Sequence, residues 1–168
     1  MRHKPSVYVD TNILSYLHYL GSDAEALSCQ RATREWWEQE RPFFRLLASR
    51  VVGSELAAGE YPGQQRALAE VRRLPYLAYS RAVGDVEAKL LDAHVVPLAV
   101  PGDAFHLAFA TVYRVDYLLS WNRAHLVSEE TQRKLVRFRA AFGLRTPLVV
   151  SPESIPKAML GENIRRRD

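Results

Sequence analysis

Acidic and small polar side chains follow the first apolar run of the chain. Residues 6–9 are rich in β-branched and aromatic side chains, and Asp10, Thr11 and Asn12 come directly after them. An apolar helical segment then begins at Ile13. This pattern predicts a buried strand that delivers Asp10 to the carboxyl edge of a sheet, where α/β proteins build their sites. Capping of the following helix is the alternative role for Asp10.

Two further acids are placed by helical spacing. Ser49, Val52 and Glu55 are three residues apart and share one helical face, with Ser49 as the expected cap of that helix. Asp103 opens an apolar helix, and His106 lies one turn later on the same face. The alternatives are surface exposure for Glu55 and helix capping for Asp103. For His106 we expect a buried histidine with one hydrogen-bond partner rather than a metal ligand.

Small polar residues also follow an apolar run near the middle of the second half of the chain. Ser120, Trp121 and Asn122 come after residues 117–119. The side-chain oxygen of Asn122 can serve a metal ion or its bound water, and a turn or cap is the alternative role. We expect Trp121 to contribute to packing, as we do the tryptophan pair at positions 36 and 37.

The set is more informative than its members, because a parallel sheet gathers the ends of its strands along one edge. Clustered carboxylates repel one another unless they are protonated or paired with a cation. Oxygen ligands without cysteine favour Mg²⁺ or Mn²⁺, whereas a histidine among them would suit Zn²⁺ or Mn²⁺ better than Mg²⁺. Such a site activates water and stabilises charge on a phosphoryl group in transfer.

Strand patterns alternate with helical patterns along the chain, which predicts an α/β fold with a mostly parallel sheet. A cap at Ser22 or Asp23, a proline in the first turn of the fourth helix and a helix start at residues 151–153 refine this prediction. The expected strands are residues 6–9, 43–48, 76–79, 117–120 and 147–150, and the expected helices are 11–20, 24–40, 50–58, 62–73, 83–93, 103–115 and 129–142.

Composition sets wider bounds on the protein. With 168 residues, 48% of them hydrophobic and 25% charged, a single globular domain is expected. The single cysteine, Cys29, excludes an internal disulfide and a cysteine-based zinc site. No apolar run approaches the roughly 20 residues that span a bilayer, and the basic start of the chain does not form a signal peptide, so we expect a cytoplasmic protein without membrane contact.

Positive charge is clustered as well as in excess. The net charge is +4 and the pI is about 9.4, which suits a polyanionic partner. Arginines and lysines cluster at positions 72–73, 133–139 and 165–167. Each cluster is read equally well as a solvated helix face or tail and as a contact for nucleic acid.

The chain resembles the PIN-domain nucleases, and specifically the VapC-type toxins of prokaryotic toxin–antitoxin pairs. The resemblance covers residues 1–160 as a single PIN-like domain and leaves a basic tail, residues 161–168, which we expect to be flexible. The segments that carry it are Val9-Asp10-Thr11-Asn12, Ser49 to Leu56, Asp103-Ala104-Phe105-His106-Leu107-Ala108, and Asp116 to Asn122 followed by His125.

The resemblance implies a three-layer α/β/α fold and a ribonuclease that depends on Mg²⁺ or Mn²⁺. Asp10, Glu55 and Asp103 match the three core acids of the family and would hold the metal. Asn122 matches the fourth catalytic position, where many members carry aspartate, so the site has one negative charge fewer and one metal is better supported than two. Asp116 precedes its strand and is expected at the opposite sheet edge.

The nuclease hypothesis also includes supporting residues, binding partners and alternative functions. Residues expected to orient the ligands and their waters are Thr11, Asn12, Ser49, His106 and Ser120. The implied partners are an RNA substrate, a cognate antitoxin protein and a second copy of the chain in a homodimer. The alternative function is a catalytically weakened PIN-like domain that binds RNA or protein, and Asn122 is the feature that favours it. A phosphoryl-transfer enzyme on a nucleotide-binding fold is less supported, because no glycine-rich phosphate loop is present.

Overall fold

All strands of the central sheet run in parallel. The computed structural model describes residues 4–157, and within them five strands pair in the order β3-β2-β1-β4-β5. This confirms the predicted α/β class and the parallel sheet. The strands are β1 (Ser6–Val9), β2 (Arg45–Ser49), β3 (Tyr76–Leu77), β4 (Tyr117–Leu119) and β5 (Leu148–Val150).

Helices connect the strands and cover both faces of the sheet. Helix α1 contacts α2, α3 and α4, helix α3 contacts α4, and α5 packs against α6. Because parallel crossovers are right-handed, connections toward β3 and connections toward β5 place their helices on opposite faces, which gives three layers. The helices are α1 (Thr11–Leu17), α2 (Ala24–Gln39), α3 (Arg50–Ala57), α4 (Gln64–Val71), α5 (Arg81–Asp92), α6 (Pro101–Val112) and α7 (Glu129–Phe142), with a 3-10 turn at Arg41–Phe43.

The central strand β1 sets the position of the functional edge. It pairs with β2 through Tyr8 and Leu47, and with β4 through Val9 and Leu119. The chain proceeds from β1 to β2 and β3 on one side, and from β4 to β5 on the other. The strand order therefore reverses between β1 and β4, and the loops after these two strands diverge to leave a crevice at the carboxyl edge.

Several predicted element bounds were wrong. Helix α4 begins at Gln64, because Gly63 has φ +89°, which lies outside the range of a right-handed helix. The position requires glycine, since a Cβ there would lie 2.0 Å from the His18 carbonyl oxygen. Pro62 therefore precedes that helix. Residues 151–153 begin a single turn, in which the amides of Ser154 and Ile155 donate to the Ser151 carbonyl, and this turn does not extend into a helix within residues 151–157.

Other predicted bounds hold more closely. Helix α7 covers the predicted residues and ends at Gly143 in the left-handed conformation. Asp23 caps α2 by accepting from the Ala26 amide. The predicted tail at residues 161–168 lies outside the described residues. Among helices within residues 4–157, none combines the length and the apolar character needed to cross a membrane.

Asp116 ties β1 to β4 at the amino edge of the sheet. Its Oδ2 accepts from the amide and the hydroxyl of Ser6, each at 2.8 Å, and its Oδ1 accepts from Arg145 at 2.6 Å. This confirms the expected position opposite Asp10. Burial tends to raise the pKa of Asp116, but the Ser6 and Arg145 contacts outweigh it and the pKa lies below its usual value.

We expect Asp116→Asn to lower the free energy of unfolding by about 1 kcal/mol at pH 7, because a half-exposed charged acceptor is lost. The folded pKa lies below the unfolded value of about 3.9, so the carboxylate contributes fully above that pH and loses its contribution as the pH falls through the folded pKa. Urea unfolding at pH 7 and pH 3 should show the gap between wild type and variant narrowing in acid. If the difference in unfolding free energy between wild type and variant is the same at pH 7 and pH 3, the stabilising role assigned to the Asp116 carboxylate is contradicted.

Candidate metal centre

A cleft of about 460 Å³ opens at the carboxyl edge, where the loops after β1 and β4 diverge. Its walls come from the start of α1, from α3 and from the first turns of α6. Residues far apart in the chain therefore meet at the place that the topology predicts. The lining residues are Asp10, Thr11, Asn12, Ser15, Tyr16, Glu55, Asp103 and His106.

Asp10 is held rigidly at the bottom of this cleft. It caps α1 by accepting from the Thr11 amide at 2.6 Å through Oδ1, so the capping role is real. Its Oδ2 accepts from the Ser120 hydroxyl at 2.5 Å and from the Asn12 amide group at 2.8 Å. Oδ1 also faces Nε2 of His106 at 3.3 Å. Capping thus orients the carboxylate for a second role rather than replacing it.

Asn12 and Ser120 lock the two diverging loops together. The Asn12 side chain donates to the Ser120 hydroxyl at 3.1 Å and accepts from the Trp121 amide at 2.8 Å. The backbone amide of Asn122 donates to the same Ser120 hydroxyl at 3.0 Å. These bonds fix the loop after β4 against the start of α1.

Glu55 reaches the cleft from α3. Its Oε2 accepts from the Thr11 hydroxyl and lies 3.0 Å from Nε2 of His106. Burial raises the pKa of Glu55, but the contacts with His106 and Thr11 outweigh it and leave the pKa below its usual value. The carboxylate is therefore ionised at neutral pH, and about a third of the side chain stays exposed.

His106 has more partners than the sequence indicated. The side chain is 2% exposed and touches both carboxylates through Nε2, while Nδ1 lies 3.0 Å from the Tyr8 hydroxyl. That hydroxyl lies 2.7 Å from Oγ of Ser49. The expectation of a single partner for His106 was wrong. Ser49 occupies the predicted cap position of α3, but its side chain makes no capping bond because its hydroxyl bonds to Tyr8 in the core.

The electrostatics of the cleft favour a positive charge. Burial acts to lower the pKa of His106, but Asp10, Glu55 and Asp103 together outweigh it and the pKa is raised. Burial raises the pKa of Tyr8, so its hydroxyl stays protonated. The negative potential that acts on the imidazole would act equally on a bound cation.

Asp103 lies on the cleft wall beside Asn122. The side-chain amide of Asn122 donates to both Asp103 carboxylate oxygens, at 3.1 and 3.0 Å. Asp103 is in the first turn of α6 and does not cap it, because the cap position is Val100. Burial and the charge of Asp10 raise the pKa of Asp103, although His106 and Asn122 act in the opposite direction.

The tightest group of potential ligands differs from the predicted one. Asp10, Glu55 and His106 each offer one atom, and these atoms lie within 4.8 Å of one another. Asp103 lines the same cleft but is not a member of this group. Two carboxylates and an imidazole are chemically suited to a divalent cation, so the residues present fit the metal that the resemblance implies.

Sequence reasoning missed Tyr8 entirely and undervalued His106. Tyr8 was treated only as part of an apolar strand, although its hydroxyl is the single polar group on that run after Ser6. The helical spacing of Asp103 and His106 was the available signal for the histidine. Trp121 and Trp36 are buried, as expected for packing residues.

Comparison of the chain with models of known protein families finds no match, and comparison with curated proteins finds none either. The support for a function therefore comes from the geometry of the cleft and from the motifs that line it.

The contact between Asn122 and Asp103 gives a test of cation binding. We expect Asn122→Asp to lower stability by about 1–3 kcal/mol in EDTA, because a donor is replaced by a second negative charge beside Asp103. Mn²⁺ should raise the melting temperature of this variant more than that of the wild type, as measured by differential scanning calorimetry. Asn122→Ala, which loses the donor without adding charge, is the control. Equal Mn²⁺ effects in all three proteins would argue against a cation in the cleft.

Proposed function

We propose that this protein is a metal-dependent endoribonuclease that hydrolyses RNA phosphodiester bonds. The observation that carries the proposal is the convergence of Asp10, Glu55 and His106, with Asp103 on the same wall, at the switch point of a parallel sheet. Within residues 4–157, no lysine or arginine forms an ion pair with Asp10, Glu55 or Asp103. Their ionisable partner is instead His106, whose Nε2 lies 3.3 Å from Oδ1 of Asp10 and 3.0 Å from Oε2 of Glu55.

Mg²⁺ or Mn²⁺, when held by Asp10 and Glu55 with Asp103 nearby, supplies charge stabilisation at the phosphoryl group and lowers the pKa of water. Asp10 keeps its orientation because Ser120, Asn12 and the Thr11 amide each donate to it. Glu55 is ionised and about a third exposed, so it accepts the proton of the attacking water as the new P–O bond forms. The P–O bond to the leaving ribose oxygen breaks in the same displacement, and solvent water protonates that oxygen.

Basic side chains favour a polyanionic substrate, but not all of them are free for it. On α7, Arg133 pairs with Glu129 and Lys134 pairs with Glu130. Arg123 follows Asn122 directly and lies over the Trp121 ring at 5.3 Å, but it also pairs with Glu153 at 3.1 Å. The overall excess of basic side chains, rather than one free arginine, is therefore what supports a polyanionic substrate.

A role as the toxin of a toxin–antitoxin pair is supported by the resemblance of the motifs alone. It implies a cognate antitoxin, a homodimer and a cytoplasmic location. The inexpensive test is the gene neighbourhood: a small open reading frame directly upstream would support the toxin role. Its absence would count against that role and leave the nuclease proposal untouched.

The nuclease proposal predicts loss of cleavage in Asp10→Asn and in Asp103→Asn. Each should reduce the metal-dependent cleavage rate by about 100-fold or more, because a carboxylate of the reaction centre is neutralised. The rate is measured on a labelled RNA in Mn²⁺ with circular dichroism as the check of folding. Asp116→Asn is the matched control, since it makes the same chemical change at the opposite edge of the sheet and should keep its activity. Full activity in the two cleft variants would refute the assigned site.

A binding module is the second candidate, and Asn122 is the observation that favours it. Its amide group occupies both oxygens of Asp103, which satisfies that acid without a metal. Calorimetric titration with Mn²⁺, repeated in excess EDTA, separates the two candidates. RNA binding without any Mn²⁺ binding would favour the module over the nuclease.

A further inference from the structure

We propose that His106 is a nitrogen ligand of the metal ion in this cleft, positioned by the buried hydroxyl of Tyr8, and that the site therefore selects Mn²⁺-class transition metals over Mg²⁺. The inference rests on the proposed function and deepens it by naming the class of ion and a ligand outside the acidic set. It follows from the side-chain geometry around one ring nitrogen.

Two carboxylate oxygens converge on the same nitrogen of His106. Oε2 of Glu55 is 3.0 Å from Nε2, and Oδ1 of Asp10 is 3.3 Å from it. A single N–H can point well at only one of them, and Glu55 Oε2 already accepts from the Thr11 hydroxyl. A cation between the three atoms satisfies both oxygens and the ring nitrogen together.

The opposite ring nitrogen has the partner that a metal-binding histidine requires. Nδ1 lies 3.0 Å from the Tyr8 hydroxyl, which in turn lies 2.7 Å from Ser49 Oγ. When Nδ1–H donates to Tyr8 and Tyr8 donates to Ser49, the lone pair of Nε2 is directed at the carboxylates. Such an outer hydrogen bond fixes the tautomer and the ring orientation of a ligating histidine.

Tyr8 is itself immobile. It is fully buried on the central strand, and its ring stacks on Phe109 at 6.2 Å and lies 5.6 Å from the His106 ring. Phe109 and His106 both belong to α6. The packing of α6 on β1 therefore sets the position of the imidazole, and thermal motion of the ring is restricted by the core.

The donor set determines which ion fits. Mg²⁺ demands an oxygen octahedron and binds imidazole poorly, whereas Mn²⁺ and later transition metals accept nitrogen. Oδ2 of Asp10 is already engaged by Ser120 and Asn12, so this acid offers one oxygen only. Few oxygens and one well-held nitrogen favour the transition-metal class.

Pulsed electron paramagnetic resonance of Mn²⁺ added to the purified protein tests the ligand directly. We expect a directly bound ¹⁴N coupling in the wild type and its loss in His106→Gln, with Mn²⁺ affinity reduced at least 10-fold and Mg²⁺ affinity changed much less. His125→Gln is the matched control, because His125 lies beside Asp103 but outside the ligand group, and it should retain the coupling.

Tyr8→Phe keeps the test decisive if His106→Gln does not fold. This variant retains the ring in the core and removes only the hydroxyl. It should preserve the ¹⁴N coupling and weaken Mn²⁺ binding by about 10- to 100-fold, as loss of an outer-sphere partner does. Unchanged Mn²⁺ affinity would exclude Tyr8 as a positioning residue.

The outcomes separate this inference from the nuclease proposal. A wild type that cleaves RNA and binds Mn²⁺ without nitrogen coupling overturns the histidine ligand and leaves the nuclease intact. A wild type that shows the coupling but never cleaves RNA supports the ligand and overturns the nuclease. A protein that binds no Mn²⁺ overturns the ligand.

Discussion

The parallel pairing of β1 with β2 and β4 is the constraint from which the rest of the site follows. Because the strands share one direction, Asp10, Ser49 and Ser120 all emerge at the same edge although they are far apart in the chain. The reversal of strand order between β1 and β4 then opens a crevice in which their side chains meet. No local feature of any one segment could have created this arrangement.

Bringing the acids together creates an electrostatic cost that the fold has to offset. Asp10 accepts hydrogen bonds from three donors, and Asp103 accepts from the side-chain amide of Asn122. Glu55 is hydrogen-bonded to Thr11 and His106. The hydroxyl and amide donors are neutral, whereas His106 is an ionisable partner whose pKa the acids raise. Because the carboxylates outnumber this imidazole, the cluster keeps its attraction for a cation.

The sequence predicted those features that depend on periodicity and on strand order. The buried strand ending at Asp10, the helical face that carries Glu55 and the acid at the start of α6 all lie on the cleft. Tertiary contacts decided the rest. Ser49 looked like a cap from its position, but the buried Tyr8 hydroxyl needs a partner and takes it. Such pairings between β1, β2 and α6 have no signature in the spacing of residues along the chain.

The network Tyr8–His106–Glu55 joins the hydrophobic core to the cleft. Tyr8 packs as a core residue on one side and carries a hydrogen bond to the imidazole on the other. Any shift of α6 relative to β1 would therefore move Nε2 relative to the carboxylates of Asp10 and Glu55. Because buried polar groups tolerate few alternative partners, the core restricts such shifts more tightly than apolar packing alone would. The precision of the site thus comes from the core beneath it rather than from the loops around it.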